Sequence, residues 1–81
     1  MNIQLIQGNF TAKEALEIIT RMIHVKIKYH ESKIGYNSNE EDIKFREEKI
    51  KRLQKDLFEI SDFIKKSGGK INLESQIQLS K

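Results

Sequence analysis

The sequence predicts an α+β fold that is mostly helical, in the order β-α-α-β. A long antiparallel helical hairpin is expected to carry an antiparallel pair of strands formed by the two ends of the chain. Three observations predict this fold: two capping boxes, a heptad stripe over residues 42–64, and strict alternation near the C-terminus. At 81 residues, the chain has room for one domain, spanning residues 1–81.

Both ends of the chain are typical of strands. Residues 2–7 are short, partly alternating and followed by Gly8, which predicts a strand over 2–7. Over residues 70–80 the odd-numbered side chains are mainly apolar and the even-numbered ones are polar. This alternation predicts a strand over 70–80 with one buried face and one solvent-exposed face. The helical hairpin would bring these strands together, so we expect them to pair antiparallel.

Capping boxes mark the starts of two helices. Thr11-Ala-Lys-Glu14 predicts a helix over 12–34, because the Thr11 hydroxyl can accept from the Glu14 amide while the carboxylate reaches back. Ser38-Asn-Glu-Glu41 repeats this pattern and predicts a helix over 39–67. Gly35-Tyr36-Asn37 supplies the break between the two helices.

The second helix carries one apolar seam and a clear end signal. Its stripe at heptad spacing indicates packing against another helix. The stripe consists of Ile43, Arg46, Ile50, Leu53, Leu57, Ile60 and Ile64. Phe45, Phe58 and Phe63 lie off this seam and indicate either core contacts or a partner surface. We expect the helix to end at Ser67-Gly68-Gly69, where glycine can take the left-handed conformation.

The first helix is apolar over an arc of roughly 200°, twice the width of an ordinary surface helix. One side carries Ala12, Leu16, Ile19, Ile23, Ile27 and Ile34. The neighbouring side carries Ala15, Ile18, Met22, Val25 and Tyr29. A single neighbouring helix cannot cover such an arc, so the second face must meet the sheet, another subunit, or both.

Folding the hairpin about Ser38 predicts a polar layer near its loop, because His30 then falls opposite Arg46. The apolar pairs expected in the same register are Leu16–Ile60, Ile19–Leu57, Ile23–Leu53 and Ile27–Ile50. His30 and Arg46 form either a small anion site, a layer that sets the register, or a partly wet layer at the hairpin end.

A homodimer is the expected partner arrangement. A two-stranded ribbon is marginal by itself and leaves both edges open, whereas the ribbons of two chains would make four strands. The absence of cysteine removes disulfides as another source of stability. Lys26 either extends its ammonium to water or pairs with a carboxylate of the other chain. The expected interface residues are Ile18, Met22, Val25, Lys26, Tyr29, Ile77 and Leu79.

The charge distribution argues against nucleic acid as a partner. The net charge is +3, but residues 39–66 hold equal numbers of acidic and basic side chains, as in a solvated helix. A nucleic-acid-associated accessory protein is the alternative hypothesis, because the polar side of the first helix carries a modest positive excess. Its binding residues would lie on the polar side of the first helix: Lys13, Arg21, His24 and Lys28.

No pattern predicts catalysis, a cofactor or a metal site. The sequence lacks a cysteine nucleophile and a glycine-rich phosphate loop, and His24 and His30 lie on different faces of a helix. The first residues do not resemble a signal peptide, and no apolar run approaches the roughly 20 residues of a membrane span. We expect a cytoplasmic, non-enzymatic protein–protein interaction or structural module that binds a second copy of itself or an unidentified protein.

Overall fold

The computed structural model of the chain describes residues 1–35 and 38–81. The elements are β1 (Asn2–Thr11), α1 (Ala12–Ser32), α2 (Glu40–Ser67) and β2 (Lys70–Gln78). The predicted β-α-α-β order, the helical hairpin and the antiparallel pairing of the terminal strands are confirmed. Two residues of the predicted interhelical break, Tyr36 and Asn37, lie outside the described residues.

Strand β1 is four residues longer than the predicted strand 2–7. The prediction stopped at Gly8, but pairing continues through Gly8 opposite Leu73 and Phe10 opposite Ile71. Gly8 has φ +144°, a conformation that L side chains rarely adopt, so glycine here lets the ribbon continue and does not end it. The extension brings Phe10 to the protein core.

A β-bulge restores one apolar face to β1. Ile3 pairs with Ile77 and Gln4 pairs with Gln76, but Ile6 pairs with Ser75 after a shift of register. Since the partners of Ile3 and Ile6 lie two residues apart on β2, these two isoleucines share a face despite their odd spacing. The bulge therefore explains why the alternation in this strand is only partial.

Helix α1 begins with the predicted capping box. The Glu14 amide donates to Thr11 Oγ1 over 3.1 Å, and the Thr11 amide donates to Glu14 Oε1 over 3.0 Å. The hydrogen bonds from the Thr11 amide and, to a smaller extent, its hydroxyl lower the pKa of Glu14. This junction connects β1 directly to α1 without an intervening loop.

The end of α1 comes two residues earlier than the predicted 34. The Lys33 amide donates to the His30 carbonyl over 3.1 Å, a tighter hydrogen bond than the α-helical pattern. The Ser32 hydroxyl donates to the Tyr29 carbonyl over 2.7 Å. These local bonds satisfy carbonyls of the last turn and close the helix.

The cap of α2 is Asn39, so the predicted helix 39–67 begins one residue too early. Asn39 Oδ1 accepts from the Asp42 amide over 2.8 Å. The Ser38 hydroxyl instead accepts from the Gly35 amide and donates to the Lys33 carbonyl. Ser38 thus serves the interhelical connection and does not cap the helix.

Two glycines, Gly68 and Gly69, connect α2 to β2. Gly68 has φ +64° and ψ 155°, a combination that is nearly restricted to glycine and differs from the left-handed helical conformation expected at this end. Gly69 follows with φ +70°. Both values lie where glycine is favoured, and the pair turns the chain from α2 into β2. Strand β2 then ends at Gln78, two residues before the predicted 80.

The core lies where all four elements meet. Its buried members are Ala15 of α1, Ile64 of α2 and Ile71 of β2. Partly buried side chains surround them: Phe10, Ala12, Leu16, Ile19, Ile60 and Leu73. Away from this cluster, Ile23 is buried in the middle of the hairpin.

The molecule is flat. Its Cα trace extends 47 × 33 × 13 Å, and its radius of gyration is 15.5 Å, against about 12 Å for a compact domain of this length. The ribbon packs mainly against α1, and α1 packs against α2. Much of the surface of the hairpin therefore has no second layer over it.

Candidate protein interface

An open groove of about 580 Å³ separates the ribbon from the helical hairpin. Its apolar walls come from all three neighbouring elements: Ile6 and Leu73 from the ribbon, Ile18, Ile19, Met22, Ile23 and Val25 from α1, and Leu53 and Ile60 from α2. Lys26, Asp56, Glu74 and Ser75 complete the lining. We refer to this surface as the open groove.

The groove exists because the ribbon covers only part of the second apolar face of α1. Ala15, near the core, is fully buried, whereas Met22 is 39% exposed and Val25 is 68% exposed. Met22 and Val25 lie two to three turns further along the helix than Ala15. The cover over α1 therefore diminishes from the core toward the hairpin end.

A second depression adjoins the groove at the hairpin end and is called the tip pocket here. Its lining consists of Val25, Lys26, Tyr29, His30 and Arg46. Val25 and Lys26 also line the open groove. The two depressions thus form one continuous surface along α1.

His30 and Arg46 contact one another within the tip pocket. Arg46 Nη1 lies 2.9 Å from His30 Nδ1. Since a guanidinium only donates, Nδ1 accepts, and the imidazole is neutral with its proton on Nε2. Partial burial lowers the pKa of His30, and the positive charges of Arg46, Lys26 and Lys49 lower it further.

Aromatic rings hold the cations of the tip pocket. The Arg46 guanidinium lies 5.7 Å from the centre of the Tyr29 ring and 5.8 Å from that of Phe45. The Lys33 ammonium lies 5.4 Å from the Tyr29 ring. Tyr29 and His30 also pack in a T-shaped arrangement, with ring centres 5.5 Å apart. These cation–π contacts place Arg46 between two rings on the surface of the hairpin.

Charge is unevenly distributed over this continuous surface. Asp56 and Glu74 line the open groove, on the side of the core. His30 and Arg46 line the tip pocket. Lys26 lies where the two meet, and Arg46 and Asp56 are about 15 Å apart along α2. The surface is therefore acidic near the core and basic near the hairpin end.

The structure brings together five of the seven residues predicted for an interface. Ile18, Met22, Val25 and Lys26 line the open groove, and Tyr29 joins Val25 and Lys26 in the tip pocket. Tyr29 is 48% exposed. Lys26 is exposed in the single chain, so its side chain reaches water, and its pairing with a carboxylate of another chain stays a prediction.

The other two predicted residues, Ile77 and Leu79, lie elsewhere. They are exposed at the free end of the ribbon, where Leu79 exchanges two backbone hydrogen bonds with Met1, of 2.7 and 3.0 Å. Neither residue lines the open groove or the tip pocket. The ribbon end is thus a separate exposed apolar surface.

The groove residues absent from the interface prediction include Ile6, Asp56 and Glu74. Ile6 reaches the groove because the bulge in β1 changes its face. Asp56 and Glu74 reach the groove through the position of the ribbon against the hairpin, which no local pattern specifies.

The polar side of α1 carries the residues of the nucleic-acid alternative, Lys13, Arg21, His24 and Lys28. All four are exposed. Arg21 forms an ion pair with Glu17 at 2.7 Å. This pairing offsets one positive charge on the side of the helix that the alternative requires.

Within residues 1–35 and 38–81, no three His, Asp or Glu side chains converge in an arrangement able to hold a metal ion. Over the same ranges, neither helix combines the length and the apolar character needed to cross a membrane. The exposed apolar surface of the described chain is instead divided among the open groove, the ribbon end and three phenylalanines of α2.

The chain exposes much more surface than a folded monomer of its size. Its accessible area is 6887 Å² for a mass of 9.5 kDa. A compact monomer of that mass exposes about 5,000 Å², so the excess is about 1,800 Å². Among the described residues, the buried hydrophobic side chains are those of Ala15, Ile23, Ile64 and Ile71.

Comparison with known proteins yields no relative: no family model, curated protein or solved structure matches this chain.

Proposed function

We propose that this protein is a non-enzymatic protein–protein interaction module that acts as a homodimer. The observation that carries the proposal is the excess accessible surface of about 1,800 Å² relative to a compact monomer. A specific interface of ordinary size removes about 800 Å² from each partner. The excess is therefore large enough to supply such an interface and still leave the chain with the surface of a normal small domain.

The exposed apolar side chains on one face of α1 support association over a monomeric role. Val25, Tyr29 and Met22 form a neighbouring set on one face of α1, continuous with the open groove. Large contiguous apolar patches on small proteins mark interaction sites, whereas scattered apolar residues do not. The unpaired edges of the two-stranded ribbon offer a second place for a partner.

The polar groups of this face favour binding over catalysis. The imidazole of His30 already accepts a hydrogen bond from Arg46 at Nδ1, which is the atom facing the neighbouring helix. Asp56 and Glu74 line a groove that is open along its length. General acid–base chemistry requires a group within hydrogen-bonding reach of a substrate held in a water-excluded site, and an open face is better suited to a protein partner.

Sedimentation of the purified chain tests the proposal. From low micromolar to near-millimolar concentration, we expect the mass to approach twice the 9.5 kDa of the chain. The apolar part of the interface should keep the dimer assembled as salt rises. A compact monomer over the whole range would contradict the proposal. A monomer that binds random duplex DNA, with affinity that falls steeply with salt, would favour the nucleic-acid alternative instead.

A further inference from the structure

The open groove and the tip pocket together form one face whose two halves differ in charge. The half near the core carries Asp56 and Glu74, and the half near the hairpin end carries Arg46 beside His30. Lys26 lies at their junction and is exposed. If two such faces dock in parallel orientation, like charges meet and the copies repel each other. If they dock in antiparallel orientation, the acidic end of each copy meets the basic end of the other and the copies attract each other.

The levels of Arg46 and Asp56 are symmetric about the level of Val25. The hydrogen bond between His30 and Arg46 shows that these two residues lie at the same level of the hairpin. Because the helices are antiparallel, Asp56, ten residues after Arg46, lies level with Thr20, ten residues before His30. Val25 is midway between those levels. A two-fold axis through Val25 would therefore place the level of Arg46 over that of Asp56 in a second copy.

We infer that a second copy of this chain docks face to face on this surface in antiparallel orientation, with Arg46 of each copy meeting Asp56 of the other and the acidic half that includes Glu74 facing the basic half. Lys26 lies beside the axis, about 6 Å along the helix from the level of Asp56 of the other copy. The inference rests on the proposed homodimer and specifies its interface. It places Val25, which is 68% exposed, on the two-fold axis. The same symmetry brings Tyr29 of each copy toward Met22 of the other.

A second copy fits this face better than an unrelated partner for two reasons. The charges are self-complementary under a two-fold axis, a property that an isologous interface requires and that binding to a different protein does not. The excess area of about 1,800 Å² exceeds the share that each chain contributes to a dimer of standard size. The face thus has both the pattern and the extent of a homodimer interface.

Charge reversal of each half tests the inference. One variant carries Lys26→Glu with Arg46→Glu, a second carries Asp56→Lys with Glu74→Lys, and a third carries all four changes. We expect each half-reversed variant to raise the dimer dissociation constant about tenfold or more, because symmetry applies every change twice. The variant with all four changes should have a dimer dissociation constant within about threefold of that of the unchanged protein, since its halves are again opposite in charge.

A matched control separates the effect of where a charge lies from the effect of a change in net charge. Lys28→Glu with Lys51→Glu makes the same change in net charge on exposed positions away from the face. It should alter the dissociation constant by less than about twofold, as isolated surface charges contribute little. Lys26→Glu alone provides a milder variant, and circular dichroism of each protein verifies its helix content.

Mixing the two half-reversed variants adds a second readout. One has acidic groups in both halves and the other has basic groups, so together they should form a heterodimer while each alone dissociates. Half-reversed variants that dimerise as tightly as the unchanged protein would overturn the inference while leaving the homodimer intact on another surface, such as the ribbon edge. An unchanged chain that stays monomeric would overturn the homodimer itself.

Discussion

Arg46 donates a hydrogen bond to His30 across the helical hairpin, with Nη1 and Nδ1 2.9 Å apart. The two residues are separated by the whole interhelical connection, so this contact records the register in which α1 and α2 pack. It also requires a neutral imidazole, because a protonated ring has no acceptor at Nδ1. The same contact therefore links the stability of the hairpin to pH.

We predict that stability falls as the pH is lowered below about 6.5, the ordinary pKa of histidine. Partial burial and the charges of Arg46, Lys26 and Lys49 depress the pKa of His30 in the folded chain. The unfolded chain therefore takes up this proton at a higher pH than the folded chain does. In that window the unfolded state binds more protons, so the free energy of unfolding decreases as the pH is lowered. Urea denaturation at a series of pH values and a fixed protein concentration measures this pH dependence of the free energy of unfolding.

The control for this prediction is His30→Gln, which keeps a hydrogen-bonding side chain but does not titrate near neutral pH. This variant should show a flatter dependence of stability on pH between 7.5 and 5, a window set by the ordinary histidine value of about 6.5. His24→Gln should change the dependence little, because His24 is exposed and lies away from Arg46. If the free energy of unfolding changed with pH equally in the unchanged protein and in His30→Gln, His30 would not be the origin of the pH dependence.

Ile64 is the side chain of α2 whose loss should destabilise the core most directly. It is 2% exposed and contacts Ala15 and Ile71 in the central cluster. Ile64→Ala removes buried methyl groups and leaves a cavity, for which a loss of about 2–5 kcal/mol is expected. Phe58→Ala, at a position that is 74% exposed, should change stability by less than about 0.5 kcal/mol. Denaturant unfolding of both variants measures the two losses of unfolding free energy. Comparable losses in Ile64→Ala and Phe58→Ala would contradict the assigned core.

Thr11 connects β1 to α1 and caps the helix, so its removal should loosen the junction. In Thr11→Ala the Glu14 amide loses its acceptor, and a loss of about 1 kcal/mol in unfolding free energy is expected. Thr11→Ser keeps the hydroxyl and should retain most of the stability. Thermal unfolding followed by circular dichroism compares the three proteins. If Thr11→Ser lost as much as Thr11→Ala, the hydroxyl would not be the cause.

Homodimer formation predicts a melting temperature that depends on protein concentration. Association stabilises the folded state by mass action, so the transition should move upward as the concentration increases. Val25→Glu places a charge on the proposed two-fold axis and should weaken this dependence. Phe58→Glu makes the same change at an exposed position that lines neither depression, and should preserve the dependence. Scanning calorimetry over a wide concentration range gives the result, and a constant melting temperature would argue against association.

Local signals predicted the elements well, and their errors have identifiable physical causes. The Thr11 capping box fixes the start of α1 because its hydrogen bonds join residues three apart. Ser38 and Asn39 are both good capping residues, and the choice between them depends on Ser38 bonding to Gly35 and Lys33. Likewise, Gly8 is a frequent strand terminator, but pairing with Leu73 carries β1 past it.

The candidate interface was predictable in part. The wide apolar arc of α1 pointed to Met22, Val25 and Tyr29, since helical periodicity alone places them on one face. Asp56 and Glu74 were not recognised, because nothing in their local sequence distinguishes them from other solvated acids. Their role at the groove depends on where the ribbon lies relative to α2.

Sequence alone determined the order of strands and helices, the antiparallel hairpin and the greater apolar width of α1, because periodicity and capping are interactions between near neighbours. Tertiary structure decided how much of that width is covered. The ribbon packs on α1 near Ala15 and leaves Val25 exposed. That outcome depends on the bulge in β1 and on the Gly68–Gly69 turn, which together set the position of the ribbon against the hairpin. Burial requires contact between residues distant in the chain, and no local pattern specifies the angle at which they meet.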